Sequence, residues 1–387
     1  MSQPRDFGFG EDEQLLRDSA RKFLSENAGI EVLRRTVARD HREAYESDVP
    51  PARYDRELWQ QMVDLGWTSL AVPDSARGAG MKMVAVAALA EEMGRVALVS
   101  PLMTTLLATC VLRAADTPGA RAALQRIVAG EAAALAVCNA SGSWEPRETD
   151  VTAKVAKAGV KLNGSAHFVQ DARKVAFFVV AARSGKRVGF YAVDADTPGV
   201  TIHPDRIVDL TRDQAHVSFS NVALAAEALV VSADEAEGAW RQALPSMLTI
   251  IAADMCGAAE WQLQTTTAYA QVRKQFDRPI GFFQAVKHPL VNMMLKIDEA
   301  RSLVYAAACA VDSEPREAER YARMAKASAS DMAAFCSSRS VQLHGGIGFT
   351  WECDVHLYFK RQKHHQMLFG DALYQRARIA DLLDRVA

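Results

Sequence analysis

Residues 174–196 read KVAFFVVAARSGKRVGFYAVDAD. Two short runs rich in Val and aromatic residues flank Ser184-Gly185, the pattern of two strands joined by a tight turn. Similar runs lie to either side: ALAVCNA at 134–140, VTIHP at 200–204 and HVSFSNV at 216–222. Ala158-Gly159, Asn163-Gly164 and Pro198-Gly199 supply further turn signals. Short strands with regular turns predict an all-β unit, a sandwich or barrel, over residues 131–232.

The pattern is helical on both sides. In residues 1–130, Leu15, Leu16, Phe23 and Leu24 recur at helical spacing, as do Leu58, Trp59, Met62, Val63 and Leu65 before Gly66. The stretch from Met81 to Ala97 is apolar nearly all round, which predicts a buried helix. Ser232 to Glu235 fits a capping box that opens a second helical region, 233–387. Candidate helices there cover roughly 243–273, then 289–311, 316–343 and 372–386. The expected fold class is α+β: a helical domain, a β domain and a C-terminal bundle resembling a four-helix bundle.

Composition narrows the function. The 387 residues carry 45 basic and 47 acidic side chains, a net charge of −2, so nothing draws the chain to nucleic acid. No apolar run reaches the ~18 residues of a membrane span. The start, MSQPRDFGFGEDEQ, lacks the pattern of a secretory signal. Six scattered cysteines without a C-x-x-C pair argue against a disulfide framework and fit a reducing, cytoplasmic setting. The pair His364-His365 stands outside any zinc-ligand spacing, so no metal is expected.

Two segments carry more information. Residues 269–288 read YAQVRKQFDRPIGFFQAVKH, and residues 342–350 read QLHGGIGFT. Leu58-Trp59…Leu65-Gly66-Trp67…Ala71-Val72-Pro73, Glu91-Glu92-Met93-Gly94 and the run Gly164–Asp171 agree with them in order. Together these segments resemble the acyl-CoA dehydrogenase family along almost the whole chain. Asp277 stands where that family usually has Gly.

The resemblance implies an FAD-dependent α,β-desaturation of an acyl-CoA thioester, with electrons passed to an electron-transfer flavoprotein. Flavin does the redox step, while the protein supplies orientation and a base. It further implies that Arg273, with Phe276 and Gln284, reaches the FAD of a neighbouring subunit. Arg suits bidentate pyrophosphate contact. Gln342, Gly345 and Gly346 would line the adenosine end of the same cofactor, and Phe168, Val169 and Gln170 would pack against the flavin ring. A homodimer, homotetramer or heteromer follows from such sharing.

The family's catalytic glutamate occupies one of two positions, and these fall here on Met247 and Phe369. Leu248 stands where an Arg is frequent. The flavin-contacting loop T-E-P-x-A-G-S-D corresponds to Cys138–Trp144, without its Thr, Glu and Pro, and Gln170 replaces a usual Thr. Asp254, seven residues beyond Met247 and thus two turns along one helix face, is the candidate replacement base, though ~10 Å away along the axis. Three readings follow. The chain is a dehydrogenase in its own right, or a base-deficient subunit that completes the FAD site of a base-carrying paralogue, or a flavin-independent binder of CoA esters. The branch that contains steroid side-chain dehydrogenases offers the nearest pattern, through Met367-Leu368-Phe369-Gly370-Asp371.

Overall fold

In a computed structural model, residues 7–49, 51–156 and 159–384 are described. The N-terminal helices are α1 (Glu11–Asn27), α2 (Ile30–Val37), α3 (His41–Tyr45), α4 (Arg56–Asp64), α5 (Met83–Arg95), α6 (Leu102–Leu112) and α7 (Pro118–Val128). Strands follow: β1 (Ala133–Ala136), β2 (Thr152–Ala156), β3 (Gly159–Gln170), β4 (Phe177–Ser184), β5 (Arg187–Asp194), β6 (Val200–Pro204), β7 (Gln214–Leu224) and β8 (Leu229–Val231). The C-terminal part contains α8 (Ala236–Val272), a hairpin of β9 (Lys274–Gln275) and β10 (Arg278–Pro279), α9 (Gln284–Ser313), α10 (Pro315–His344), α11 (Val355–Met367) and α12 (Ala372–Asp384).

The strands order as β6-β7-β3-β2-β4-β5-β8, with β1 beside β4. β1 runs parallel to β4, and the antiparallel runs β6-β7-β3-β2 and β4-β5-β8 meet at one further parallel pairing, Thr152 with Arg183. The segment after β1 bonds β3 across the fold, His167 N–H to the Cys138 carbonyl at 2.8 Å. Residues 174–196 form β4 and β5, in antiparallel register from Phe177–Asp194 to Ser184–Arg187. Phe177, Phe178, Phe190 and Val193 are fully buried, as a two-sided Val- and Phe-rich strand pair requires.

Several expectations shift in detail. The Ser232 hydroxyl bonds the Glu235 carboxylate at 2.7 Å instead of capping amides, and α8 begins at Ala236 with no side-chain cap. The capping box is therefore replaced by a side-chain pair. The long helix starts seven residues earlier than its apolar pattern, and Pro245 lies inside it. Pro245 leaves the carbonyl of Arg241, four residues back, without its helical N–H partner. Leu15 is 70% exposed, whereas Leu24 is fully buried. Of the turn at Ala158-Gly159, Ala158 lies outside the described residues, as do the last residues of the expected C-terminal helix.

What positions the site is the crossing of α5 and α8. From Met83 to Gly94 every residue of α5 is buried. A Cβ on Gly94 would fall 1.9 Å from the Asp254 carbonyl oxygen, and one on Gly257 would fall 1.8 Å from that of Glu91. Two glycines thus let the backbones touch. The acids of the same Glu91-Glu92-Met93-Gly94 motif tie α5 to its other neighbours, α9 and α1. Glu91 accepts from Arg301 at 2.8 Å and from Tyr305 at 3.0 Å, and Glu92 accepts from Arg21 at 2.7 Å and Arg95 at 3.0 Å. We expect Gly257→Ala to force the helices apart and cost about 1–3 kcal/mol, read as a lower denaturant midpoint. An unchanged midpoint would show that the crossing is not tight.

Candidate functional site

The motif residues gather in two places. At one end of the bundle, α8 stops at Val272 and Arg273 turns the chain into the β9–β10 hairpin. Its two central residues, Phe276 and Asp277, have φ of 53° and 59°. Two-residue hairpins need positive φ at both positions. This explains the family's Gly at 277, and Asp tolerates the left-handed region better than most side chains. Phe276 is 85% exposed, steadied by an edge contact to Phe283 at 6.0 Å.

Arg273, Gln284, Gln342, Gly345 and Gly346 are all exposed. The Arg273 side chain makes no hydrogen bond or ion pair among the described residues. Gly345 ends α10 with φ 67°, and nothing lies within 4 Å of where a Cβ would stand at Gly345 or Gly346. Tyr269 ties the two motifs together, stacking on His344 at 4.4 Å. A free guanidinium beside open glycine backbone suits a phosphate-bearing cofactor that arrives from outside this chain. These residues fit the FAD contact that the resemblance implies.

The second place lies between the β domain and α11. Phe168 has φ 54° and is 38% exposed, whereas Val169 and Gln170 are buried. Both amide hydrogens of the Gln170 side chain are already taken, so it has no N–H to offer a flavin. Its carbonyl oxygen lies 2.7 Å from His364 Nε2, and its amide donates at 3.0 Å to both the Phe168 carbonyl and Gln214.

Asp254 sits deeper, fully buried. Arg361 donates to it at 2.6 and 3.1 Å, Arg212 at 3.3 Å, and His365 Nδ1 lies 3.0 Å away. Burial alone would raise its pKa, but Arg361, His365 and Arg212 outweigh that and hold the carboxyl well below the ordinary range. Arg212 Nε bonds His365 Nε2 at 3.1 Å, so the imidazole accepts there, which leaves its proton on the nitrogen that faces Asp254. Burial pushes His365 down to about 3 despite the pull of Asp254. A carboxylate so held has little proton affinity, which is the environment of a structural anion and not of a general base.

The other base positions are apolar. Met247 and Leu248 are fully buried. Phe369 is 4% exposed and stacks on Trp144, with centroids 4.4 Å apart.

Arg212, Arg361, His365 and His364 escaped the sequence reading. The adjacent histidines were visible, but the carboxylate and amide that they meet are more than a hundred residues away, beyond any local spacing. Trp144 escaped for the same reason.

Two measurements probe this network. Asp254→Asn should destabilise the fold by about 3–5 kcal/mol, because it strands two buried guanidinium groups. A loss below 1 kcal/mol would contradict the assigned contacts. Burial also lowers His364 and takes His356 to about 4. The unfolded histidines, near 6.5, bind protons that the fold refuses, so stability is complete above about pH 6.5 and falls as pH drops toward 4. Each such histidine adds a slope of up to ~1.36 kcal/mol per pH unit, and His365→Gln should flatten the curve by one share. An identical curve for the variant would place His365 outside the network.

Comparison with known proteins gives the family of this fold. Residues 10–131 match the acyl-CoA dehydrogenase N-terminal domain, and residues 241–383 match the acyl-CoA dehydrogenase C-terminal domain. The acyl-CoA dehydrogenase IpdE2 of Mycobacterium tuberculosis is 30% identical over 353 residues, 91% of each chain. Among solved structures, the Tcur3481-Tcur3483 steroid ACAD is similar at 27% identity and a TM-score of 0.84, over 97% of this chain and 99% of that one. The ChsE4-ChsE5 complex from Mycobacterium tuberculosis is similar at 25% identity and a TM-score of 0.84, over 98% and 99%. The chain belongs to the acyl-CoA dehydrogenase family, whose members are FAD-dependent oxidoreductases.

Proposed function

We propose that this chain is one half of a heteromeric FAD-dependent acyl-CoA dehydrogenase. It completes the FAD site of a base-bearing partner of the same fold and carries no acceptor for the α-proton itself. One contrast carries the reading. The residues that would reach across a subunit interface, Arg273, Phe276, Gln284, Gln342, Gly345 and Gly346, are present and exposed together. Those that would serve a substrate in this chain's own pocket are replaced by buried apolar groups at 247, 248 and 369.

Bound FAD supplies hydride acceptance from the acyl β-carbon. This chain's part is electrostatic and positional. The Arg273 guanidinium would neutralise the pyrophosphate with Phe276 and Gln284 beside it, and the open backbone at Gly345-Gly346 would admit the adenosine end. The partner holds the α-proton acceptor. Asp254 is the poorer candidate for that role, since Arg361 already holds it as the anion. The names of the related proteins, steroid ACAD and a two-component complex, support a steroid-derived acyl-CoA as substrate class and a two-gene assembly. An electron-transfer flavoprotein is the family's usual electron acceptor and completes the reading.

The chain alone should bleach no flavin with a panel of straight-chain acyl-CoAs, because a positioned base is worth about 10²–10⁴ in rate. In the assembled enzyme, Arg273→Ala should weaken FAD retention by roughly tenfold to more than a hundredfold, the loss of one charge-assisted contact of ~1.5–3 kcal/mol. Unchanged retention would overturn the shared site. Robust turnover by the isolated chain would overturn the missing base.

A further inference from the structure

This inference rests on the proposed function and concerns the fate of the chain's own pocket. The segment that in the family touches flavin and CoA, Cys138–Trp144, has its polar groups turned inward. The Asn139 side-chain oxygen accepts from the Ser141 N–H at 3.1 Å, the Ser143 N–H at 2.9 Å and the Ser141 hydroxyl at 2.9 Å. Its amide donates to the Glu148 carbonyl at 2.9 Å, and the Ala140 N–H goes to Asp150 at 2.8 Å. The backbone N–H groups of residues 139–143 are thus each committed to a protein acceptor and are not offered to an incoming thioester or flavin oxygen.

At its end stands Trp144. It stacks on Phe369 at 4.4 Å and 25°, Phe369 lies 6.2 Å from Trp240, and Trp240 lies 6.1 Å from Phe190. This ladder runs from the loop through the 367–371 turn and α8 into β5. The residue beside Trp144, Glu145, pairs with Arg378 of α12 at 3.5 Å. The turn that carries Phe369 is fixed from the other side. Gln375 donates to the Phe369 carbonyl at 2.6 Å, and buried Lys326 donates to the Gly370 and Gln366 carbonyls at 3.1 Å each. Phe369 has φ 56°, a strained conformation for an aromatic residue that these contacts hold in place. Substitution at the base position has therefore filled space as well as removed a carboxylate.

We propose that Trp144 and Phe369 form an aromatic plug that closes this chain's own acyl pocket, so that a CoA thioester binds only to the partner chain. The plug acts on acyl binding and not on FAD sharing, so the two readings fail separately.

The test is calorimetric titration of the full-length chain with octanoyl-CoA, using CoA as the control. Wild type should give no saturable site. Trp144→Ala/Phe369→Ala should open a cavity and acquire a saturable site for octanoyl-CoA that prefers it to CoA by about tenfold or more. Should that variant not fold by circular dichroism, Trp144→Leu and Phe369→Leu, each made singly, take its place with the same expectation of a gain. Saturable octanoyl-CoA binding by wild type overturns the plug, as does a folded variant that binds no better than wild type. Neither result bears on Arg273 and FAD retention, which test the proposed function itself.

Discussion

The buried pair of Arg361 with Asp254 is the contact on which the arrangement of the site depends. It joins α11 to α8 and, through Arg212, joins both to the loop before β7. Charges this deep are tolerable only when every one is paired, because removal from water costs several kcal/mol per ion. Arg361 also donates to the Thr211 hydroxyl at 2.9 Å, and Thr211 in turn bonds Asp209 at 2.7 Å. Lys174 pairs with Asp171 at 2.8 Å in the same layer. The β domain is thus registered on the bundle by directional contacts. The apolar faces alone would allow sliding.

That registration explains how one chain keeps half of a site and abandons the other half. The exposed end with Arg273 and Gly345-Gly346 needs only α8, α10 and their Tyr269–His344 stack to keep its shape. The region around Phe369, where the resemblance places the acyl pocket, is under no such requirement if no substrate enters it. Aromatic side chains there contribute burial and stacking, about 0.5–1.5 kcal/mol per ring pair beyond their buried area. A catalytic carboxylate at 369 would contribute only a desolvation cost.

Much of this was legible in the sequence. The short Val- and Phe-rich runs around residues 174–196, with their turn signals, pointed to the β domain, and apolar helical spacing to the long helices, because both patterns are local. The exposed cofactor-facing residues were legible through the order and spacing of two motifs. Asp254 was legible as an acid on the face of Met247 but not as an ion-paired one. Its partners at 212, 361 and 365 lie 42 to 111 residues away and meet it only through tertiary packing. The Trp144–Phe369 stack was hidden in the same way. The early start of α8 escaped because Pro245 reads as a boundary.

Native mass spectrometry of this chain assembled with a base-bearing partner of the same fold tests the central claim most directly, through the ratio of FAD to chains. A shared site, completed by this chain and owned by its partner, predicts one FAD per pair of chains and none on this chain purified alone. Two FAD per pair, or FAD retained by the isolated chain, would contradict the account.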